Sequence, residues 1–155
     1  MDINKIIFSR IAPRKKVEIV KNLTQTELLS ITSATISKMI KEAGTRLYKS
    51  RDKELRISYE SRTGNSWNST VEGVRNCKGN SMLDLYIQYE NTDTSTSVSL
   101  SDFMNSGDYR GSIERDDRYG NPRSYYFTYS SADKARFVRQ LLLEYLNRRY
   151  KDKLS

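Results

Sequence analysis

The spacing of apolar residues changes twice along the chain. Ile3, Ile6 and Ile7 stand three or four residues apart, as on one face of a helix. From Leu55 onward the spacing becomes two, the period of a strand with one buried face, and after residue 130 it becomes helical again. The chain is therefore expected to have an α+β fold, with N-terminal helices, a central sheet and a C-terminal amphipathic helix packed on that sheet.

Short turns separate the strand-like runs. The cleanest run is Leu83, Leu85, Ile87 and Tyr89, and a turn at 76–80 precedes it. Such connections are too short for parallel crossovers, so we predict an antiparallel meander of about five or six strands. The 155 residues are the length of one domain, divided into a basic helical segment (1–48), the antiparallel sheet (54–130) and the C-terminal helix (131–150).

Two capping boxes predict where helices begin. Thr24 is followed by Glu27, and Ser130 is followed by Asp133, which matches the pattern of a hydroxyl and a carboxylate three residues apart. Gly44 is expected to end the helix that begins after Thr24. After Ser130, one apolar stripe indicates the buried face of the C-terminal helix: Ala135, Val138, Leu141, Leu142, Tyr145 and Leu146.

The composition excludes several kinds of chemistry. The chain has no histidine, so Ser-His and Cys-His catalytic pairs and the usual zinc sites are excluded. The single cysteine, Cys77, excludes an intrachain disulfide. We therefore predict a non-enzymatic protein without a cofactor or metal, and the remaining enzymatic alternative is a Mg²⁺-dependent hydrolase that uses Asp84, Asp102, Asp116 or Asp117. No signal peptide or apolar span is evident, so we expect a cytoplasmic protein with no membrane partner.

Charge is distributed unevenly. Residues 1–62 carry 14 Lys and Arg against 7 Asp and Glu, residues 63–130 carry 6 against 9, and residues 131–155 carry 7 against 3. Basic ends of this kind favour contact with phosphates. The basic residues proposed for nucleic-acid binding are Arg14, Lys15, Lys16, Arg136, Arg139, Arg148 and Arg149.

Residues 29–38 resemble the turn and the start of the recognition helix in many bacterial helix-turn-helix domains. The resemblance implies that short polar and basic side chains contact the major groove: Ser33, Thr35, Ser37, Lys38 and Lys41. The alternative, which we favour, is one continuous amphipathic helix from Gln25 to Ala43. The leading functional hypothesis is a small DNA-binding or DNA-associated protein.

Aromatic and basic residues alternate from Tyr109 to Tyr129. Tyrosine and arginine are enriched in protein interfaces, which makes five residues candidates for one: Tyr109, Arg118, Tyr119, Arg123 and Tyr125. The alternative function is a structural assembly subunit, such as a connector or ring component of a virus-like particle, in which case the protein would be found in the virion. A third hypothesis is an inhibitor or adaptor that captures a host protein. The opposing interpretation is that these aromatics fill the core.

Overall fold

Helices lie at both ends of the chain and strands lie between them. In the computed structural model, the described residues are 1–47, 52–62, 67–89 and 92–154. The helices are α1 (Ile3–Ile6), α2 (Pro13–Lys21), α3 (Gln25–Leu29), α4 (Ser33–Ala43), α5 (Leu100–Asn105), α6 (Ser131–Arg149) and α7 (Lys151–Leu154). The strands are β1 (Thr45–Arg46), β2 (Lys53–Arg62), β3 (Trp67–Cys77), β4 (Asn80–Tyr89), β5 (Thr92–Ser99), β6 (Tyr109–Asp116) and β7 (Pro122–Tyr129). The α+β prediction is confirmed.

The main sheet has five antiparallel strands in the order β1-β2-β3-β4-β5. Strands β3 and β4 are joined by the two residues Lys78 and Gly79, with φ of 50° and 85°. Two successive positive φ values suit a two-residue hairpin, because they match the right-handed twist of the flanking strands. The turn predicted at 76–80 is confirmed.

The last two strands form a sheet of their own, β6-β7, instead of extending the meander. Helix α5, which the sequence patterns did not predict, separates them from β5. The hydroxyl of Ser99 accepts from the amide of Asp102 and caps α5, while Leu100 and Phe103 are fully buried. Anchoring of this short helix in the core directs the chain away from the edge of the main sheet.

One face of the main sheet is buried. Its central positions are fully buried apolar side chains: Leu55, Val71, Val74, Leu83, Leu85 and Ile87. The neighbouring positions of β4 and β5, such as Asp84, Gln88 and Ser97, belong to the opposite, polar face. The alternation confirms that the sheet has one core face and one solvent face.

Helix α6 connects the helices with the sheet. Its predicted capping box is present, since Ser130 accepts from the amide of Asp133 and the Asp133 side chain accepts from the amide of Ser130. All six residues of the predicted apolar stripe are buried. The helix packs against α2, α3 and α4 and lies along β2, so the prediction of a C-terminal helix near the sheet is confirmed.

The prediction of one continuous helix from Gln25 to Ala43 is wrong. Helix α3 ends at Leu29, and α4 begins at Ser33, where the Thr32 hydroxyl accepts from the amide of Thr35. Asn4 of α1 holds the break: its Oδ1 accepts from the amide of Thr32 at 3.0 Å, and its Nδ2 donates to the carbonyl of Ser30 at 3.1 Å. These contacts satisfy backbone groups that a continuous helix would have paired internally.

Candidate functional site

The hydroxyl side chains of α4 make contacts within the fold. Ser33 is hydrogen-bonded to Ser101 at 3.2 Å, and Ser37 is hydrogen-bonded to Ser81 at 2.5 Å. Thr35 is buried and donates to Asn4 Oδ1 at 2.7 Å. Although α3, the turn and α4 have the outline of a helix-turn-helix, these three residues face neighbouring elements and do not form an open face for reading bases.

The two lysines of α4 are exposed. The Lys38 ammonium lies 4.2 Å from the centre of the Phe8 ring, and Lys41 is in the last turn of the helix. A cation at this position interacts favourably with the helix dipole. Of the five α4 residues proposed for DNA binding, Lys38 and Lys41 alone are classed as exposed.

The cations of α2 divide into one buried and several exposed side chains. Lys16 is 1% exposed, and its ammonium donates to the carbonyl of Ile7 at 3.0 Å and lies over the Tyr150 ring. Arg14, Lys15 and Lys21 are exposed. Lys16 therefore joins α2 to Ile7 and Tyr150, which lie near the two ends of the chain.

The cations of α6 divide in the same way. Arg139 donates to the carbonyl of Leu23 at 2.6 Å, and Arg148 is paired with Glu144 and donates to Thr45. These two arginines are half-buried and join α6 to neighbouring segments, whereas Arg136 and Arg149 are exposed.

A groove runs between α2 and the end of α6 with α7. It is lined by Arg14, Val17, Lys21, Leu143, Asn147 and Leu154. Spacings of three and four residues place Arg14, Val17 and Lys21 on one stripe of α2. The opposite wall comes from α6 and α7, both of which pack against α2. We call this feature the helical groove.

Further cations stand near the helical groove. Arg136 lies two helical turns before Leu143 and so on the same face of α6. Lys151 and Lys153 are exposed on α7, whose Leu154 lines the groove. The binding residues proposed from the sequence do not include Lys21, Lys151 or Lys153, although Lys151 continues the basic outer face of the C-terminal helix. The seven-residue interval between Arg14 and Lys21 places both on one face of α2 and could have identified Lys21. The packing of α7 on α2, which brings Lys151 and Lys153 towards the groove, has no sequence signature.

The tyrosines of the β6-β7 hairpin separate into two groups. Tyr125 is 2% exposed, and Tyr109 is half-buried with its ring stacked on Phe127 at 6.1 Å. Tyr119 and Tyr126 are 71% and 62% exposed. The predicted interface residues Tyr109 and Tyr125 therefore pack into the core, and Tyr126, which was not predicted, faces outward.

Asp117 organises the tip of this hairpin. Its carboxylate accepts from the amides of Tyr119 and Asn121 at 2.9 and 3.0 Å and from Arg123 Nε at 3.0 Å. The bond from the Asn121 amide contributes most to lowering the pKa of Asp117. Arg118 donates to the Tyr119 hydroxyl at 2.7 Å, so the tip presents an ordered aromatic and basic pair.

The polar face of the main sheet carries an acidic groove. Glu54, Glu72 and Asp84 line it together with Glu144 of α6 and the guanidinium of Arg56. Arg75 is paired with Asp84 at 3.0 Å. Within the described parts of the chain, no three His, Cys, Asp or Glu side chains are arranged to hold a metal ion.

No protein-family model matches the sequence, and neither a curated protein nor a solved structure matches the chain. Of the helices in the described ranges, none is both long enough and apolar enough to cross a membrane.

Proposed function

We propose that this is a non-enzymatic nucleic-acid-associated protein that contacts phosphates through the helical groove and the cations around it. The observation that carries the proposal is the meeting of two basic segments, α2 and residues 149–153, each of which has three exposed cations and one carboxylate. The exposed cations are Arg14, Lys15 and Lys21 in α2 and Arg149, Lys151 and Lys153 in the second segment. Arg14, Val17 and Lys21 of the first segment line the helical groove, and Leu154, which directly follows the second segment, lines its opposite wall.

Lysine and arginine on a helical surface bind phosphates largely through charge, without reading bases. Lys21 is exposed and lines the groove. Lys151 and Lys153 are exposed on α7 next to the lining residue Leu154, and Arg136 is exposed two turns before the lining residue Leu143 of α6. If these four cations each replace a counterion on duplex DNA, log K should fall with log salt at a slope of about −3.6. Because the hydroxyl side chains of α4 face inward, we favour sequence-independent contact with the phosphate backbone of DNA over contact with its bases.

The test is a fluorescence-anisotropy titration of a labelled 20-base-pair duplex over a series of salt concentrations. The triple variant Lys21→Gln/Lys151→Gln/Lys153→Gln should reduce the steepness of the salt slope by about 2.7. The matched control, Lys78→Gln/Arg110→Gln/Arg115→Gln, removes the same charge from exposed positions on the strands and hairpins.

Equal losses in the two triple variants would mean that net charge alone drives binding, and the groove assignment would then be wrong. Absence of binding by the wild type at 50 mM salt would reject a nucleic-acid function altogether. A third variant, Lys38→Gln/Lys41→Gln, tests α4 directly and should leave the slope closer to that of the wild type than the groove variant does.

A second candidate function is a structural assembly subunit, and the exposure of Tyr119 and Tyr126 on the hairpin favours it. Large exposed aromatics next to arginine are typical binding anchors. The hairpin would then seat on a neighbouring copy or on another virion protein. Tyr119→Ser/Tyr126→Ser should abolish concentration-dependent growth in mass by light scattering, and a wild type that shows no growth contradicts this candidate.

A further inference from the structure

Strand β5 forms a long edge of the main sheet. It pairs with β4 at every position from Thr92 to Ser99, and the register is continuous. Among the described residues, no strand pairs with its other side. The opposite end of the sheet is different, because the two-residue strand β1 and helix α6 lie along β2.

The sequence of β5 lacks the features that usually protect an edge. Exposed edges are typically blocked by lysine, proline or a bulge. Residues 92–99 contain no Lys, Arg or Pro, and their one charged residue is Asp93. Bulges do occur in this sheet, between β2 and β3 and between β3 and β4, but the β4-β5 pairing has none. The edge is therefore regular and rich in β-branched threonine, which suits strand addition.

The same strand is complementary to itself. Consider a twofold axis that is perpendicular to the sheet and passes midway between the Ser95 residues of two antiparallel copies. It pairs even-numbered residues with even-numbered ones and odd-numbered with odd-numbered ones, so the core faces of both copies lie on the same side of the combined sheet. Thr94 then stands opposite Thr96, and Asp93 stands opposite Ser97. No carboxylate faces another carboxylate in this register.

The charges at the edge favour this register. The Ser97 hydroxyl accepts from the Arg75 guanidinium at 3.2 Å and donates to Asp84 at 2.6 Å. Placing Asp93 opposite Ser97 brings each Asp93 carboxylate towards Arg75 of the other copy, which is already paired with Asp84 at 3.0 Å, so Asp93 would join an existing ion pair. Opposite charges across neighbouring strands stabilise pairing.

We propose that two copies of this chain associate through antiparallel pairing of β5 with β5 about this twofold axis, which forms a continuous ten-stranded sheet. The occupant of the edge is thus a second copy of the protein, joined by a closed, isologous contact. This inference is independent of the proposed nucleic-acid function, since β5 contributes no residue to the helical groove.

The experiment is sedimentation equilibrium of nucleic-acid-free protein at 0.5 M salt, from 1 to 200 µM. The wild type should form a dimer of twice the 18.0 kDa chain mass. Ser95 is exposed and would face itself across the axis. Ser95→Lys and Ser95→Glu should therefore each weaken dimerisation by about fivefold or more, because like charges oppose each other.

An equimolar mixture of the two Ser95 variants should restore association as a heterodimer, which misfolded variants would not do. Gln140→Lys is the control, since residue 140 is exposed on α6, outside the main sheet. The proposal is overturned by a wild type that stays monomeric at 200 µM, by Ser95 variants that dimerise like the wild type, by a control that weakens the dimer equally, or by a mixture no stronger than its components.

Discussion

Gly73 allows a close approach of two strands, and its replacement by alanine has a calculable cost. The residue is buried at the bulge between β3 and β4 and has φ of +155°. A Cβ atom there would lie 2.4 Å from the carbonyl oxygen of Leu55 and 3.0 Å from Cα of Arg56, both of which are backbone atoms. Backbone cannot rotate away as a flexible side chain can, so the strands must separate.

Two terms contribute to the expected loss of stability. A non-glycine residue at such a φ costs about 1–3 kcal/mol. Forcing an extra methyl group into a packed region costs about 1–3 kcal/mol more. We expect Gly73→Ala to lower the free energy of unfolding by about 4 kcal/mol, which corresponds to a decrease in Tm of about 8–16 °C for a domain of this size.

Two control glycines separate the conformational cost from the packing cost. Gly79 has φ of +85° and Gly107 has no positive φ, and at both a Cβ would meet no atom within 4 Å. Gly79→Ala should therefore cost the conformational term alone, about 1–3 kcal/mol, and Gly107→Ala should change stability by less than about 0.5 kcal/mol. Urea unfolding of the three variants measures this series. A Gly73→Ala variant as stable as Gly79→Ala would refute the argument from the Leu55 carbonyl.

Three further changes test the contacts that hold the helices. Asn4→Ala should destabilise the protein by about 1–3 kcal/mol in urea unfolding, because Thr32 and Ser30 lose their side-chain partner, and Asn4→Asp, which keeps the acceptor, should cost less. Ser130→Ala removes the cap of α6 and should cost about 1 kcal/mol, against a smaller change for Ser131→Ala inside the helix; equal effects would contradict the capping role. Burial, followed by the hydrogen bond to Glu42, raises the pKa of Tyr145, so above pH 10 the unfolded state binds fewer protons than the folded state. Stability should therefore fall as pH rises above 10, by up to about 1.4 kcal/mol per pH unit from this group, and a fall of the same slope in Tyr145→Phe would show that another group is responsible.

Local sequence patterns predicted the structure correctly where residues close together in the sequence determine it. The capping boxes at Thr24 and Ser130 and the apolar stripe of α6 depend on intervals of three and four residues. Gly44 ends α4 as predicted, but for a different reason: its φ is −69°, and a Cβ would lie 2.5 Å from the carbonyl of Ile40. The requirement for glycine there comes from a close approach and not from a left-handed conformation.

Long-range contacts decided the rest. The break between α3 and α4 depends on Asn4, which is 28 residues away from Thr32. Whether a cation is exposed also depends on residues that are distant in the chain, since Lys16 is buried beneath Tyr150 while Lys21 is exposed. The sequence predicted phosphate contact for the buried Lys16 and not for the exposed Lys21.

The sequence by itself determined the α+β class, the starts of α3 and α6 and the alternation of the sheet, because these follow from capping boxes and from the backbone periods of 3.6 and 2 residues. Only the tertiary structure decided that β6 and β7 leave the main sheet, that β5 forms its edge and that α2, α6 and α7 line one groove. Those outcomes depend on which faces and edges are covered by segments distant in the chain. No local spacing of residues specifies that covering.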